Sequence, residues 1–203
     1  IFARFIGIFF LLPLIYFHFS KKINIKHIKV CYMILSLIIL QGIIGWYMVS
    51  SGLINNTSVS HYRLSLHLSI AIVITASIFW LIKNFLSNTN KTFFNLSTIN
   101  LPFLILVFLI FIQIILGAFV SGLDAGKIYQ TWPLMGNTYY PDDLSLENSL
   151  DFDSHSLVQF YHRNLAYLII FYVISISIFV YKKKIRYFFK SIKILNFFLL
   201  LQV

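Results

Sequence analysis

Between Ile99 and Ser121 the chain reads INLPFLILVFLIFIQIILGAFVS, 23 residues without one charged side chain. About 20 apolar residues in helical form span the hydrocarbon core of a bilayer. This run alone therefore takes the chain out of the class of soluble globular domains. Three further complete runs share its character, at about 28–50, 64–86 and 157–181, and two partial ones flank them, at 1–19 and 187–203. Backbone groups in lipid must find their partners internally, so such runs are helices. None has the alternating pattern of a membrane β-barrel. The expected fold is all-α, a polytopic transmembrane helix bundle.

Composition agrees. Of 203 residues, 59% are hydrophobic and only 11% charged, where soluble domains average about a quarter charged. The net charge of +10 is no sign of a nucleic-acid partner, because the cations gather at the ends of apolar runs, where membrane topology accounts for them. Lys21, Lys22, Lys26 and Lys29 mark one loop, Lys83 and Lys91 a second, and Lys182, Lys183, Lys184, Arg186, Lys190 and Lys193 a third. These alternate with a 51–62 loop that has no Lys or Arg and a 122–156 loop whose one cation is Lys127. The latter holds every acidic residue of the chain: Asp124, Asp142, Asp143, Glu147, Asp151 and Asp153. The positive-inside rule puts the Lys-rich loops in the cytoplasm or matrix and the 122–156 loop outside. The expected location is the bacterial inner (plasma) membrane, or the mitochondrial inner membrane in a eukaryote. Cys31 is the sole cysteine and lies in an apolar run, so no internal disulfide can form.

The chain opens at Ile1 inside one apolar segment and stops inside another. It is expected to be a piece of a longer protein, with residues that complete a site lying beyond its ends. A weak internal repeat is also visible. The stretch from Ile1 (IFARFIGIFFLLPLIYFHFSKK) resembles that from Asn164 (NLAYLIIFYVISISIFVYKKK), and the pairs Leu40-Gln41 and Leu201-Gln202 stand 161 residues apart. Gln113 and Gly117 echo Gln41 and Gly45, and Ser121-Gly122-Leu123 echoes Ser51-Gly52-Leu53. Both copies run in the same orientation, a parallel repeat of four helices each; chance likeness among apolar segments is the competing account.

The chemistry-bearing residues are few. His67 sits about one turn inside a span, where a ligating residue is costly and marks function, with Arg63 four residues earlier on the same face. A neutral imidazole there can ligate haem iron, and the arginine can hold a propionate; a histidine hydrogen-bonded between helices is the bland alternative. His162-Arg163 repeats the ingredients at the outer end of its helix. Two sites, each with its second ligand outside the chain, fit better than one shared site. His61 falls roughly 240° around the helix from His67 and is expected at the interface. His18 and His27 read as solvated edge residues, and His155 has no evident role. Asp124, between Gly122 and Gly126, is either a functional acid or helix-end turn chemistry. Trp46, Tyr47 and Trp132 read as interfacial aromatics. No phosphate loop, metal-type Cys/His spacing or nucleophile elbow is present.

Several strings together are distinctive: QGIIGWYMV (41–49), SGL (51–53), VSHYRLSLHL (59–68), GAFVSGLDAG (117–126), TWPLMG (131–136) and QFYHRNLAY (159–167). In this order they resemble the third to sixth helices of haem A synthases, in the branch found in proteobacteria and mitochondria. The branch with a cysteine pair in its outer loops is a poor match to a chain with Cys31 alone. The resemblance implies an eight-helix enzyme of two tandem four-helix halves, of which this chain covers about helices 2–7. Residues 1–86 would be the substrate-haem half, 87–98 a cytoplasmic linker and 99–203 the cofactor half. His67 matches the ligand of the substrate haem O and His162 that of a haem b cofactor, with Arg63 and Arg163 as propionate contacts. The family's catalytic acid would lie before Ile1, so the chain alone is expected to be inactive. The implied reaction oxidises a methyl group of haem O to the formyl group of haem A for terminal oxidase biogenesis. Implied partners are haem O, membrane lipid, an unidentified electron acceptor and, as candidates, haem O synthase and cytochrome oxidase assembly factors. From the residues alone, a dihaem b-type cytochrome that only relays electrons fits as well.

Overall fold

The computed structural model of the protein describes residues 2–52, 59–87, 97–144 and 150–202. Lys91, Glu147, most of the 87–98 linker and most of the 51–58 segment therefore lie outside the described residues. Six α-helices account for most of the described residues: α1 (Phe2–Ser20), α2 (Ile25–Gly52), α3 (His61–Leu86), α4 (Leu101–Gly122), α5 (His155–Lys182) and α6 (Phe189–Gln202). Among the described residues there is no strand, only an isolated bridge between Met135 and Thr138. Four helices, α2 to α5, are long and apolar enough to cross a membrane. The all-α, polytopic membrane fold expected from the apolar runs is the one found, and the chain is a multi-pass membrane protein.

α2 and α5 run a few residues past their apolar stretches, because helix ends are set by capping rather than hydropathy. The Asn24 side chain accepts the Lys26 amide at 3.0 Å and so opens α2. Pro102 occupies the first turn of α4, where its missing N–H costs nothing. Ser154 Oγ accepts the Leu157 amide and opens α5. At the other end of α5, Lys184 takes a left-handed conformation (φ 52°). The Lys184 amide then returns to the Tyr181 carbonyl and the Ile185 amide to that of Val180, each at 3.1 Å. This is the paired closure of a Schellman end, and the lysines around it favour the negative end of the helix dipole.

The chain divides into two compact units, Ile1–Phe94 and Asn95–Val203. In the first, α1 packs on α2 and α2 on α3; in the second, α4 packs on α5 and α5 on α6. The second unit has two apolar clusters. Leu106, Ile169, Val173, Ile176, Val180 and Ile192 join α4, α5 and α6, and Leu116, Phe119 and Val158 join α4 to α5 nearer the loop between them. Since lipid is as apolar as leucine, these clusters hold helices by close packing rather than by excluding water. The Asn196 amide adds a bond of 3.0 Å to the Ser177 hydroxyl between α6 and α5, a kind of contact worth about 1 kcal/mol in a membrane. Outward faces carry bare apolar side chains such as Phe9, Phe171 and Leu200, each more than 70% exposed. Soluble proteins do not present such surfaces to water, and a bilayer covers them.

Candidate functional site

In the α2–α3 hairpin, one face of α2 is built to receive a histidine. Gln41 donates its amide N–H to the main-chain carbonyl of His67 at 2.9 Å. Gly45 follows one turn later on the same face. A Cβ built on Gly45 would stand 3.1 Å from His67 Cε1 and 3.6 Å from Nδ1. The imidazole thus lies directly on bare backbone. Its Nδ1 is buried and, among the described residues, has no hydrogen-bond partner; the same holds for Gln41 Oε1.

The α4–α5 hairpin repeats this arrangement. Gln113 donates to the carbonyl of His162 at 3.1 Å. A Cβ on Gly117 would stand 3.2 Å from His162 Cε1 and 3.8 Å from Nδ1. His162 Nδ1 and Gln113 Oε1 are again the buried atoms left without partners. The echo between Gln41/Gly45 and Gln113/Gly117 was visible in the sequence as a mark of repetition. That it frames the two histidines needed the packing, since Gln and His are 26 residues apart in one hairpin and 49 in the other.

The second hairpin also carries a structured segment after α4, from Leu123 to Leu144. Four residues of α5 reach up to it. Gln159 is buried and brackets Tyr129, accepting its amide at 3.2 Å and donating to its carbonyl at 2.9 Å. Arg163 donates to the carbonyls of Tyr129 and Thr131 at 2.6 and 2.9 Å. Tyr139 donates to Asn164, and the Trp132 indole N–H to the Tyr167 hydroxyl at 2.8 Å. Trp132 is therefore more than an interfacial aromatic; it ties the loop to α5. Two guanidinium nitrogens of Arg163 hold loop carbonyls, and a guanidinium has five N–H donors, so it retains capacity for an anion. The Arg63 cation lies over the Tyr47 ring at 4.8 Å.

Loop electrostatics serve the fold. Burial works to raise the Asp143 carboxyl, but hydrogen bonds from the Ser156 and Tyr129 hydroxyls, 2.6 and 2.8 Å long, outweigh it and hold it below the ordinary range. Burial, and then the bond to Asp143, push the Tyr129 phenol up. Asp124 sits in the left-handed region (φ 55°) at the start of a short 3-10 turn, Ala125–Lys127. Its side chain is exposed and bonds Lys127 at 2.9 Å, which lowers its pKa. Of its two readings, turn chemistry is the one that its contacts support.

The remaining histidines lie elsewhere. His61, expected at the interface, is buried at the first turn of α3, with its ring against Tyr62. His155 is exposed at the first turn of α5. His18 pairs with Tyr32, and His27 stacks on Phe85 with centroids 4.6 Å apart. Among the described residues no group of three or more His, Cys, Asp or Glu gathers to hold a metal ion. Single imidazoles, each seated on glycine by its Cε1–Nδ1 edge, suit a different guest. Haem iron takes one axial nitrogen from a histidine, and the residues present fit that demand.

Along its whole length, residues 1–203, the chain matches the family model of the cytochrome oxidase assembly protein. The chain belongs to that family. Curated relatives agree with this. Heme A synthase of Pelagibacter ubique (strain HTCC1062) is 44% identical over 204 residues, an alignment covering 99% of this chain and 59% of that protein. Heme A synthase of Wolbachia sp. subsp. Brugia malayi (strain TRS) is 42% identical, with 84% of this chain and 52% of that protein covered. Heme A synthase of Rickettsia bellii (strain OSU 85-389) is 40% identical, with 90% and 55% covered. The chain thus spans little more than half the length of the curated family members it matches. No solved structure matches it.

Proposed function

We propose that this chain belongs to a haem A synthase, a membrane oxidoreductase that oxidises a methyl group of haem O to the formyl group of haem A for terminal oxidase biogenesis. The observation that carries the reading is the pair of Gln–Gly–His hairpins in a chain whose relatives are named heme A synthase. In this reading His67 would ligate the iron of the substrate haem O and His162 that of a haem b cofactor. Arg63 and Arg163 hold propionates by charge-assisted bonds. When bound, haem b supplies one-electron transfer at its iron. The protein's own share is to orient the imidazoles, to bind the macrocycles between apolar helices and to keep water away from them. The methyl carbon of haem O would be oxidised twice, each time gaining an oxygen from water and releasing two electrons and two protons, through an alcohol to an aldehyde hydrate that sheds water; the electrons would pass to an acceptor outside the chain.

The substrate half would be residues 1–86 and the cofactor half 99–203, joined at 87–98. The second ligand of each haem and the family's acid would come from residues beyond this chain, which alone would not turn over. The proposed setting is the bacterial plasma membrane or the mitochondrial inner membrane, with the 122–156 loop outside and the Lys-rich loops in the cytoplasm or matrix. Haem O synthase and cytochrome oxidase assembly factors are the candidate partners. The electron-relay reading has no support in the three relatives described above, each named heme A synthase.

The test uses the complete protein in membranes supplied with haem O, with the extracted haems resolved by chromatography. A haem A peak is expected, lost in His67→Ala while haem b stays bound; His162→Ala is expected to lose the haem b. Haem O left unconverted in the presence of an electron acceptor would sink the synthase reading. Loss of haem b from His67→Ala with retention in His162→Ala would reverse the two halves.

A further inference from the structure

We propose that Gln113 and Gln41 are positioning residues, each setting the orientation of the imidazole across its hairpin, His162 and His67 respectively. The inference rests on the reading of those histidines as haem ligands. Gln113 is the one side-chain amide in the run from Leu101 to Gly122, and a polar group in such a span is costly unless it bonds to a neighbour. It bonds neither to lipid-facing groups nor to its own helix but to the carbonyl of the histidine residue itself, at 3.1 Å; Gln41 does the same at 2.9 Å. A carbonyl has two lone pairs, so this oxygen can serve its own helix and the glutamine together. The bond fixes where the histidine backbone stands against the partner helix.

The glycine one turn on then fixes the ring. With ideal Cβ positions only 3.1 and 3.2 Å from Cε1, the two imidazoles rest on helix backbone with no side chain between. Each histidine is therefore held at two points, by its main chain on the glutamine and by its ring edge on the glycine. At the second site Gln113 Nε2 also lies 3.4 Å from His162 Nε2. An N–H directed there favours the tautomer that carries its proton on Nδ1 and offers the Nε2 lone pair, a long contact that an iron can replace. The same two atoms, Gln Oε1 and His Nδ1, lack partners in both hairpins among the described residues. Two separate hairpins with one arrangement and one set of orphaned atoms mark a built feature rather than a packing accident. Groups around an axial ligand that fix its ring orientation tune the metal it binds.

The experiment uses the complete, haem-loaded protein purified in detergent. Its readouts are haem content, the low-spin ferric EPR g values and the midpoint potential of each haem. Gln113→Leu is expected to shift the g values and potential of the haem at His162, or to lose that haem, while the haem at His67 keeps its wild-type signature. Gln41→Leu is expected to do the converse. Gln113→Met, of similar length without a donor, is expected to repeat the effect of Gln113→Leu and is read in its place if that variant fails to assemble. Unchanged g values and potentials in both glutamine variants would overturn the proposal. So would an equal fall in both haems with wild-type signatures in what remains, since that is a folding defect. His162→Ala separates the underlying reading: if both haem signals survive in it unchanged, His162 is no ligand, whatever the glutamine variants show.

Discussion

Gly45 lies beneath the imidazole of His67 so closely that a methyl group there would stand 3.1 Å from Cε1. Real Cβ contacts of that length are rare, and the ring cannot withdraw without leaving its place on α2. Gly45→Ala is therefore expected to push the ring off its seat at an overpacking cost of about 1–3 kcal/mol. Haem A formation by the complete protein should fall at least several-fold, with haem b retained. Gly117→Ala, at 3.2 Å from His162 Cε1, should instead lower haem b occupancy. Product analysis and a reduced-minus-oxidised spectrum read the two effects separately. Full product formation in Gly45→Ala would show that the close seat has no functional consequence.

Gln159 grips both the amide and the carbonyl of Tyr129 from a buried position on α5. Gln159→Leu leaves those main-chain groups without this partner, and unsatisfied groups of this kind cost about 1–3 kcal/mol each. The loop between Ala125 and Asp143 should loosen while the helices stay folded. Limited proteolysis should cut the loop faster by a factor of ten or more, with little change in helical circular dichroism. Arg163→Lys, which keeps the charge but loses the forked donor, should give a smaller increase.

The Asp143–Tyr129–Ser156 cluster makes loop anchoring sensitive to pH at both extremes. The Asp143 carboxyl is held below its ordinary value. Its contribution is therefore present above the usual carboxylate range and lost as pH falls through the depressed folded value. The Tyr129 phenol is raised. Its contribution is present below the ordinary phenol value and lost as pH rises through the higher folded one. Hydrogen exchange of the 125–143 amides should be slowest between these limits. Asp143→Asn should abolish the acid step and shrink the alkaline one; an unaltered acid step would show that another group governs the loop.

Much of this was legible before any coordinates. Four spans follow from run length alone, because a bilayer imposes one dimension on every helix that crosses it. His67 and His162 stood out because ligating side chains are rare inside such spans. The helix ends were harder. Asn24 and Ser154 extend α2 and α5 by capping, which a hydropathy run does not register. His61 read as an interfacial residue and is buried at the first turn of α3, with its ring against Tyr62. The glutamines and glycines showed as a repeat, but their grip on the histidines depends on how two helices are set against each other, which no local pattern encodes. The loop clamp likewise depends on 159, 163 and 167 sharing one face of α5 with a loop some 30 residues upstream.

Asp124 provides a contrast within the same loop. Its φ of 55° is a conformation that costs most L residues roughly 1–2 kcal/mol and that Asp, Asn and Gly adopt more readily. Asp124→Gly should leave thermal stability about unchanged, and Asp124→Val should lower it. Neither should change haem content or turnover of the complete protein at permissive temperature. A loss of turnover in Asp124→Gly with normal stability would restore the catalytic reading of this acid.

The twin hairpins bear on how such a protein comes into being. Everything that seats His67 lies on α2 and α3, and everything that seats His162 lies on α4 and α5. Each imidazole is therefore oriented as soon as one pair of neighbouring spans has entered the bilayer. During synthesis the seat of each imidazole needs only two consecutive spans, and no helix of the other hairpin, to be complete.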